Sequence, residues 1–141
     1  MSLPFILLPL FVQVTLTFVI GFWLAGLRAP AVGRGEVRAQ DIALREPSWP
    51  KQTLQVGNSY LNQFETPVLF YVLAILAIIT KHADLLFVLL SWVFVVLRVL
   101  HAWVHVTDNN LKRRGALFGA AAAVLAIMWL IFIVKILLGM P

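Results

Sequence analysis

The sequence predicts an all-α membrane protein, a bundle of four transmembrane helices. Three observations carry this. Hydrophobic residues make up 62% of the 141 residues and charged residues only 12%, against roughly 25% charged in a soluble domain. Four apolar runs approach or exceed the roughly 20 residues that cross the hydrocarbon core of a bilayer. The charges gather mostly in short segments between those runs. Period-two alternation is weak throughout, which argues against a β-barrel.

The chain has room for one domain, residues 1–141, with spans near 4–27, 54–79, 85–106 and 115–138 and a basic loop over 28–52. The first run carries no charge. It lacks a basic n-region and is too long for a secretory h-region, so it reads as a spanning helix. The loop after it sets Arg28, Arg34, Arg38, Arg45 and Lys51 against Glu36, Asp41 and Glu46. Pro30, Gly33, Gly35, Pro47 and Pro50 are expected to break any long helix there. Trp49 stands where an aromatic anchor meets the headgroups.

The second run is polar in its first half (Gln55, Asn58, Tyr60, Asn62, Gln63, Glu65) and apolar in its second, with a kink expected at Pro67. A turn over Thr80 to Asp84 leads to the third run, which holds Arg98, His101 and His105 in its last part. Lys112, Arg113 and Arg114 precede the fourth run. Its small residues Gly115, Gly119 and Ala120 to Ala123 suit close helix packing, and Lys135 is placed to snorkel near its end.

The first and third loops carry five and three basic residues, and the second only Lys81. The positive-inside rule then puts the two basic loops in the cytoplasm and both termini in the periplasm or lumen. The net charge of +5 is an orientation signal in this pattern, and nucleic acid is not an expected partner. The absence of cysteine excludes disulfides, thiolate metal sites and a cysteine nucleophile.

Ionisable groups inside a span cost free energy and tend to face a bundle interior or cavity. Asn58, Asn62 and Glu65 fall at i, i+4 and i+7, so they share one face of the second span; Arg98, His101 and His105 share one face of the third. At a rise of 1.5 Å per residue, Glu65 and Arg98 lie at about 18 Å and about 14 Å from the basic side. The two faces are expected to meet, with Glu65 paired to Arg98. Such a pair can serve helix register alone. Asn58 and His105 lie nearer the interface, where simple solvation is an equal reading. His101 and His105 have a spacing that can bind zinc, but Arg98 in the same cluster would repel the cation, and no metal is expected.

Asn62-Gln-Phe-Glu65-Thr-Pro67, together with Arg98-Val-Leu-His101 and a basic loop ending in Arg114, resembles the motifs of the MAPEG family, the membrane-associated proteins in eicosanoid and glutathione metabolism. The resemblance covers nearly the whole chain. It implies a homotrimer of four-helix subunits, with glutathione as co-substrate held between subunits near the cytoplasmic face. A hydrophobic small-molecule substrate would come from the lipid bilayer. The chain then looks like a bacterial inner-membrane member. Carried across, Asn62 and Glu65 hold the peptide part of glutathione, His101 contributes a hydrogen bond, and Arg114 is the candidate catalytic residue that stabilises the thiolate. Asn58 and His105 are further binding positions, and Arg98 is structural or lines the site.

The chain departs from the family pattern at three of these positions. Asn58 replaces an arginine, and His105 and Phe118 replace tyrosines. Arg34, Arg38 or Lys51 are the candidates to supply the missing cation. Two function classes follow: a glutathione-dependent transferase or peroxidase acting on lipophilic electrophiles, and a non-catalytic scaffold or accessory subunit of a larger membrane complex. Nothing resembles the broken paired helices of a transporter.

Overall fold

The computed structural model describes residues 1–45 and 47–141, so Glu46 of the basic loop lies outside the described residues. The described residues form six helices, five of which build four spans. They are α1 (Leu3–Gly33), α2 (Ala39–Ile42), α3 (Lys51–Asn62), α4 (Thr66–Ile79), α5 (Leu85–Val106) and α6 (Leu111–Leu138). Helices α3 and α4 together make the second span, Lys51–Ile79. Four helical segments of this length and apolarity make the chain an integral membrane protein.

Two prolines act differently from the sequence expectation. Pro30 does not break α1, which runs on to Gly33. A proline removes the bond to the carbonyl four residues back and crowds that group with its ring; here the carbonyl is that of Gly26, which is exposed. The helix ends where Gly35 turns to φ +73° and Glu36 N–H returns to the Ala31 carbonyl at 3.0 Å. The second span, by contrast, is broken rather than bent. Pro67 lies in the first turn of α4, and Gln63 to Glu65 form a turn between two helices of 12 and 14 residues. Pro67 cannot donate to Gln63, and Gln63 to Glu65 leave the helix.

A helix end at membrane depth needs its polar groups satisfied inside the protein. Arg98 of α5 does this at the break. Its Nη2 donates to the Asn62 carbonyl at 3.2 Å and to Asn62 Oδ1. On the opposite side, Gln13 of α1 donates from Nε2 to Gln63 Oε1 at 2.9 Å, and Gln63 donates back to the Ser59 carbonyl. Gln13 and Arg98 are both fully buried.

Around this polar layer the packing is apolar. The main core joins Phe70, Leu73 and Ala74 of α4 to Phe94 and Val95 of α5 and Leu125 and Met128 of α6. A smaller cluster of Ile20, Leu24, Val56 and Ala102 ties α1 to α3 and α5. Side chains such as Phe18, Phe22, Val72, Ile75, Leu89 and Leu130 point outward and are exposed. In a membrane these are solvated by lipid, so tight packing and interhelical hydrogen bonds hold the helices together. At the end away from the basic loops, Asp84 caps α5 through the Phe87 N–H and pairs with Lys135, the residue placed to snorkel there, at 2.6 Å. His82 Nε2 lies 2.9 Å from the Met140 carbonyl.

Candidate functional site

Near the basic loops, α3, the helix break, α5 and the start of α6 enclose a cleft of about 470 Å³. Its walls include Asn58, Asn62 and Glu65 from the second span, His101 and His105 from α5, and Arg114 and Phe118 from α6. Six residues singled out by spacing or motif therefore meet in one cavity. The seventh, Arg98, is not in its lining. It lies behind Asn62 as a buried cap.

The expected direct pairing of Glu65 with Arg98 is not formed. No ion pair within 4.0 Å joins them, and Asn62 stands between the two. Its side chain accepts from Arg98 through Oδ1 and donates from Nδ2 to Glu65 Oε2 at 3.0 Å. The reason is the helix break. A continuous helix would carry Glu65 onto the face of Asn58 and Asn62. With Glu65 instead at φ −92° and ψ −109° in the N-cap position of α4, the carboxylate sits exposed at the cleft while the guanidinium stays at the end of α3.

On the opposite wall, the rings of His101 and His105 meet edge to face at 5.5 Å, and Phe118 lies 5.9 Å from His101. Both histidines are buried, and each leaves Nδ1 without a partner. Arg114 is half-buried in the first turn of α6, and its Nη1 donates to the Asn109 side chain. Asn109 takes the left-handed conformation at φ +53°, which suits asparagine, and so the loop between α5 and α6 orients the arginine.

Arg34 and Arg38 do not supply a further cation to the cleft. They pair with Glu36 at 2.9 Å and Asp41 at 3.0 Å in the exposed loop, and Lys51 is likewise outside the lining. Among the described residues lining the cleft, Arg114 is the one arginine or lysine and Glu65 the one carboxylate. Sequence reading passed over Gln13 and Asn109. Gln13 had a signal, a lone amide in an uncharged apolar run; the backbone turn at Asn109 had none.

The cleft offers hydrogen-bonding groups and charges of both signs. Glu65 can accept from an ammonium, and Asn58 can donate to a carboxylate. No curated protein and no solved structure gives a significant match. The model of the MAPEG family, however, matches residues 6–134, nearly the whole of the chain, and the chain belongs to that family.

Proposed function

We propose that this protein is a membrane-bound glutathione-dependent transferase or peroxidase acting on lipophilic electrophiles. Family membership supports a glutathione-related membrane function in general. The observation that carries the finer reading is the meeting of Asn62, Glu65, His101 and Arg114 around one cleft.

Glutathione would bring a nucleophilic thiol with a pKa of about 8.5, the value of a free cysteine. Arg114 holds a fixed positive charge at the cleft wall, and a nearby cation favours the thiolate over the thiol. Glu65, fixed by Asn62, accepts from the peptide amine. Asn58 and the two histidines hydrogen-bond the remainder. In this reading the cleft is completed by a neighbouring subunit of a homotrimer. The two basic loops face the cytoplasm, both termini face the periplasm, and the membrane is a bacterial inner membrane.

A second reading is favoured by one specific observation. Asn58 and Phe118 line the cleft where the family pattern has a cation for the glutathione carboxylates and a hydroxyl for its thiol. That points to a non-catalytic scaffold or accessory subunit of a larger membrane complex.

One experiment separates the two. Glutathione is added to the detergent-purified protein near neutral pH, and the ultraviolet difference absorbance of a bound thiolate is followed. The enzyme reading expects a saturable signal in the wild type that falls at least tenfold in Arg114→Ala while the oligomer stays intact. No signal at millimolar glutathione supports the scaffold. An undiminished signal in Arg114→Ala removes that residue from the mechanism.

A further inference from the structure

We infer that Gln13 of α1 is a positioning residue for Glu65, a role that rests on Glu65 being the acceptor for the glutathione amine. Gln13 is fully buried and is not in the lining of the cleft. It acts through Gln63, on the turn that delivers the Glu65 carboxylate to the cleft.

The turn is tighter than the helix it ends. The N–H groups of Gln63, Phe64 and Glu65 donate to the carbonyls of Tyr60, Leu61 and Asn62 at 3.0, 3.0 and 3.3 Å, each three residues back instead of four. A turn of that kind advances about 120° per residue, against about 100° in an α-helix. Over three residues Glu65 is carried about 60° past its helical position, off the face that Asn58 and Asn62 share. The same shift takes the backbone donor away from the Ser59 carbonyl. Gln63 replaces it with its own side chain, Nε2 to the Ser59 carbonyl at 3.0 Å. Ser59 and Gln63 are both buried, so this bond is what satisfies the carbonyl where water does not reach.

Gln13 fixes which way the Gln63 amide points. A carbonyl only accepts, so the Ser59 bond needs the NH₂ of Gln63 on its side and turns Oε1 toward α1. Gln13 Nε2 meets that oxygen at 2.9 Å. Gln13 is the one amide in the uncharged first run, and an amide at that depth is costly unless it is bonded. Without it, Gln63 Oε1 becomes a buried acceptor with no donor. The amide is then free to leave Ser59, and the turn can relax to the four-back pattern, which withdraws Glu65. Asn62 holds the carboxylate from the cleft side; Gln13 holds the backbone that carries it from the other.

The test uses the full chain in detergent and two ligands, glutathione and its analogue lacking the free amine. Binding is followed by calorimetry, and amide hydrogen exchange by mass spectrometry. Gln13→Met keeps the length and removes the amide. It should weaken glutathione about fivefold, the worth of one hydrogen bond, and leave the affinity of the deaminated analogue unchanged. Exchange should rise at Gln63 to Glu65 and not around Asp84. In a Glu65→Gln background, Gln13→Met should cost glutathione nothing further, because the two residues act as one unit.

Equal weakening of both ligands would make Gln13 a structural strut and overturn the role. Unchanged glutathione affinity in the folded variant would show that the turn stands without it. A further loss in the Glu65→Gln background would separate the two residues. Equal binding of the two ligands by the wild type would remove Glu65 from amine recognition, and Gln13 with it. If the wild type binds neither ligand, the glutathione reading falls by itself. Exchange then decides: a rise confined to Gln63 to Glu65 in Gln13→Met supports control of the turn, and no rise or a uniform one overturns it. Where Gln13→Met does not fold, Gln13→Asn, which keeps the amide and shortens its reach by one methylene, carries the same comparison.

Discussion

The two ends of α6 are charged in opposite relation to the helix dipole. At the C-terminal end Lys135 stands in the last turn, where a cation is favoured, and its ammonium meets Asp84 at 2.6 Å. At the N-terminal end Lys112, Arg113 and Arg114 crowd the first turn, where the dipole is already positive. Cations misplaced in this way cost about 0.3–1 kcal/mol each at exposed sites. The cap of Asn110 on the Arg113 N–H and the 3.3 Å pair of Arg113 with Asp108 offset part of this. Arg114 has only the amide of Asn109. One end of the helix is arranged for stability. The other tolerates charge that the helix itself disfavours, beside the one cleft that gathers the polar residues of two spans. Strain of that kind is expected where a site needs the charge more than the fold does.

Arg98→Met tests the cleft end most severely. It removes the charged donor to the carbonyl and the side-chain oxygen of Asn62 and leaves the carbonyl only the Glu65 N–H at 3.3 Å, a loss of about 1–3 kcal/mol. Unfolding in detergent should fall by that amount. Amide exchange should rise around Gln63 to Glu65 and stay unchanged around Asp84. A uniform loss of protection would mean that Arg98 supports the whole bundle and the two ends are not independent.

This residue also shows how far the sequence could be read. The depth of Arg98 and its approach to the second span were legible from spacing and the antiparallel turn alone, because helical rise is fixed. The face shared by Asn58 and Asn62 was legible for the same reason. The partner of Arg98 was not, because it depends on how the chain leaves the helix at Gln63. Pro67 announced a disturbance there; only the backbone at Glu65 decides that the carboxylate swings to the cleft and that Asn62 fills the gap. Pro30 is the converse case. It carried the same signal, and α1 passed it because the carbonyl it orphans is on an exposed residue. A proline in sequence marks a lost bond, and its surroundings determine whether the helix ends.

Asp84→Ala tests the opposite end. It deletes the α5 cap and the Lys135 pair together. The cap alone is worth about 1 kcal/mol, so the unfolding midpoint should fall clearly, with no effect on thiolate formation in the distant cleft. A change in glutathione binding would show that the ends are coupled. Lys112→Gln should act in the other direction. Removing one misplaced cation from the first turn of α6 should stabilise the protein by about 0.3–1 kcal/mol, read from the same unfolding measurement. A loss of stability instead would mean that the charge of Lys112 is balanced by a partner.

The smallest effect expected is the acid sensitivity of the Asp84 end. Burial pushes the Asp84 carboxyl up, but hydrogen bonds from Lys135 and the Phe87 N–H outweigh it and hold the group below its ordinary value of 3.8. A carboxyl depressed on folding contributes stability that is present above its unfolded value and lost as pH falls through the lower folded one. The unfolding midpoint should therefore be level above about pH 5 and decline below about pH 4. The side chain is 46% exposed, so solvent screens the pair and the decline attributable to this group is modest. In Asp84→Asn the cap can persist while the titration cannot. The variant should thus start lower and flatten over the same range, and a wild-type decline of equal size in the variant would assign the acid sensitivity to other groups.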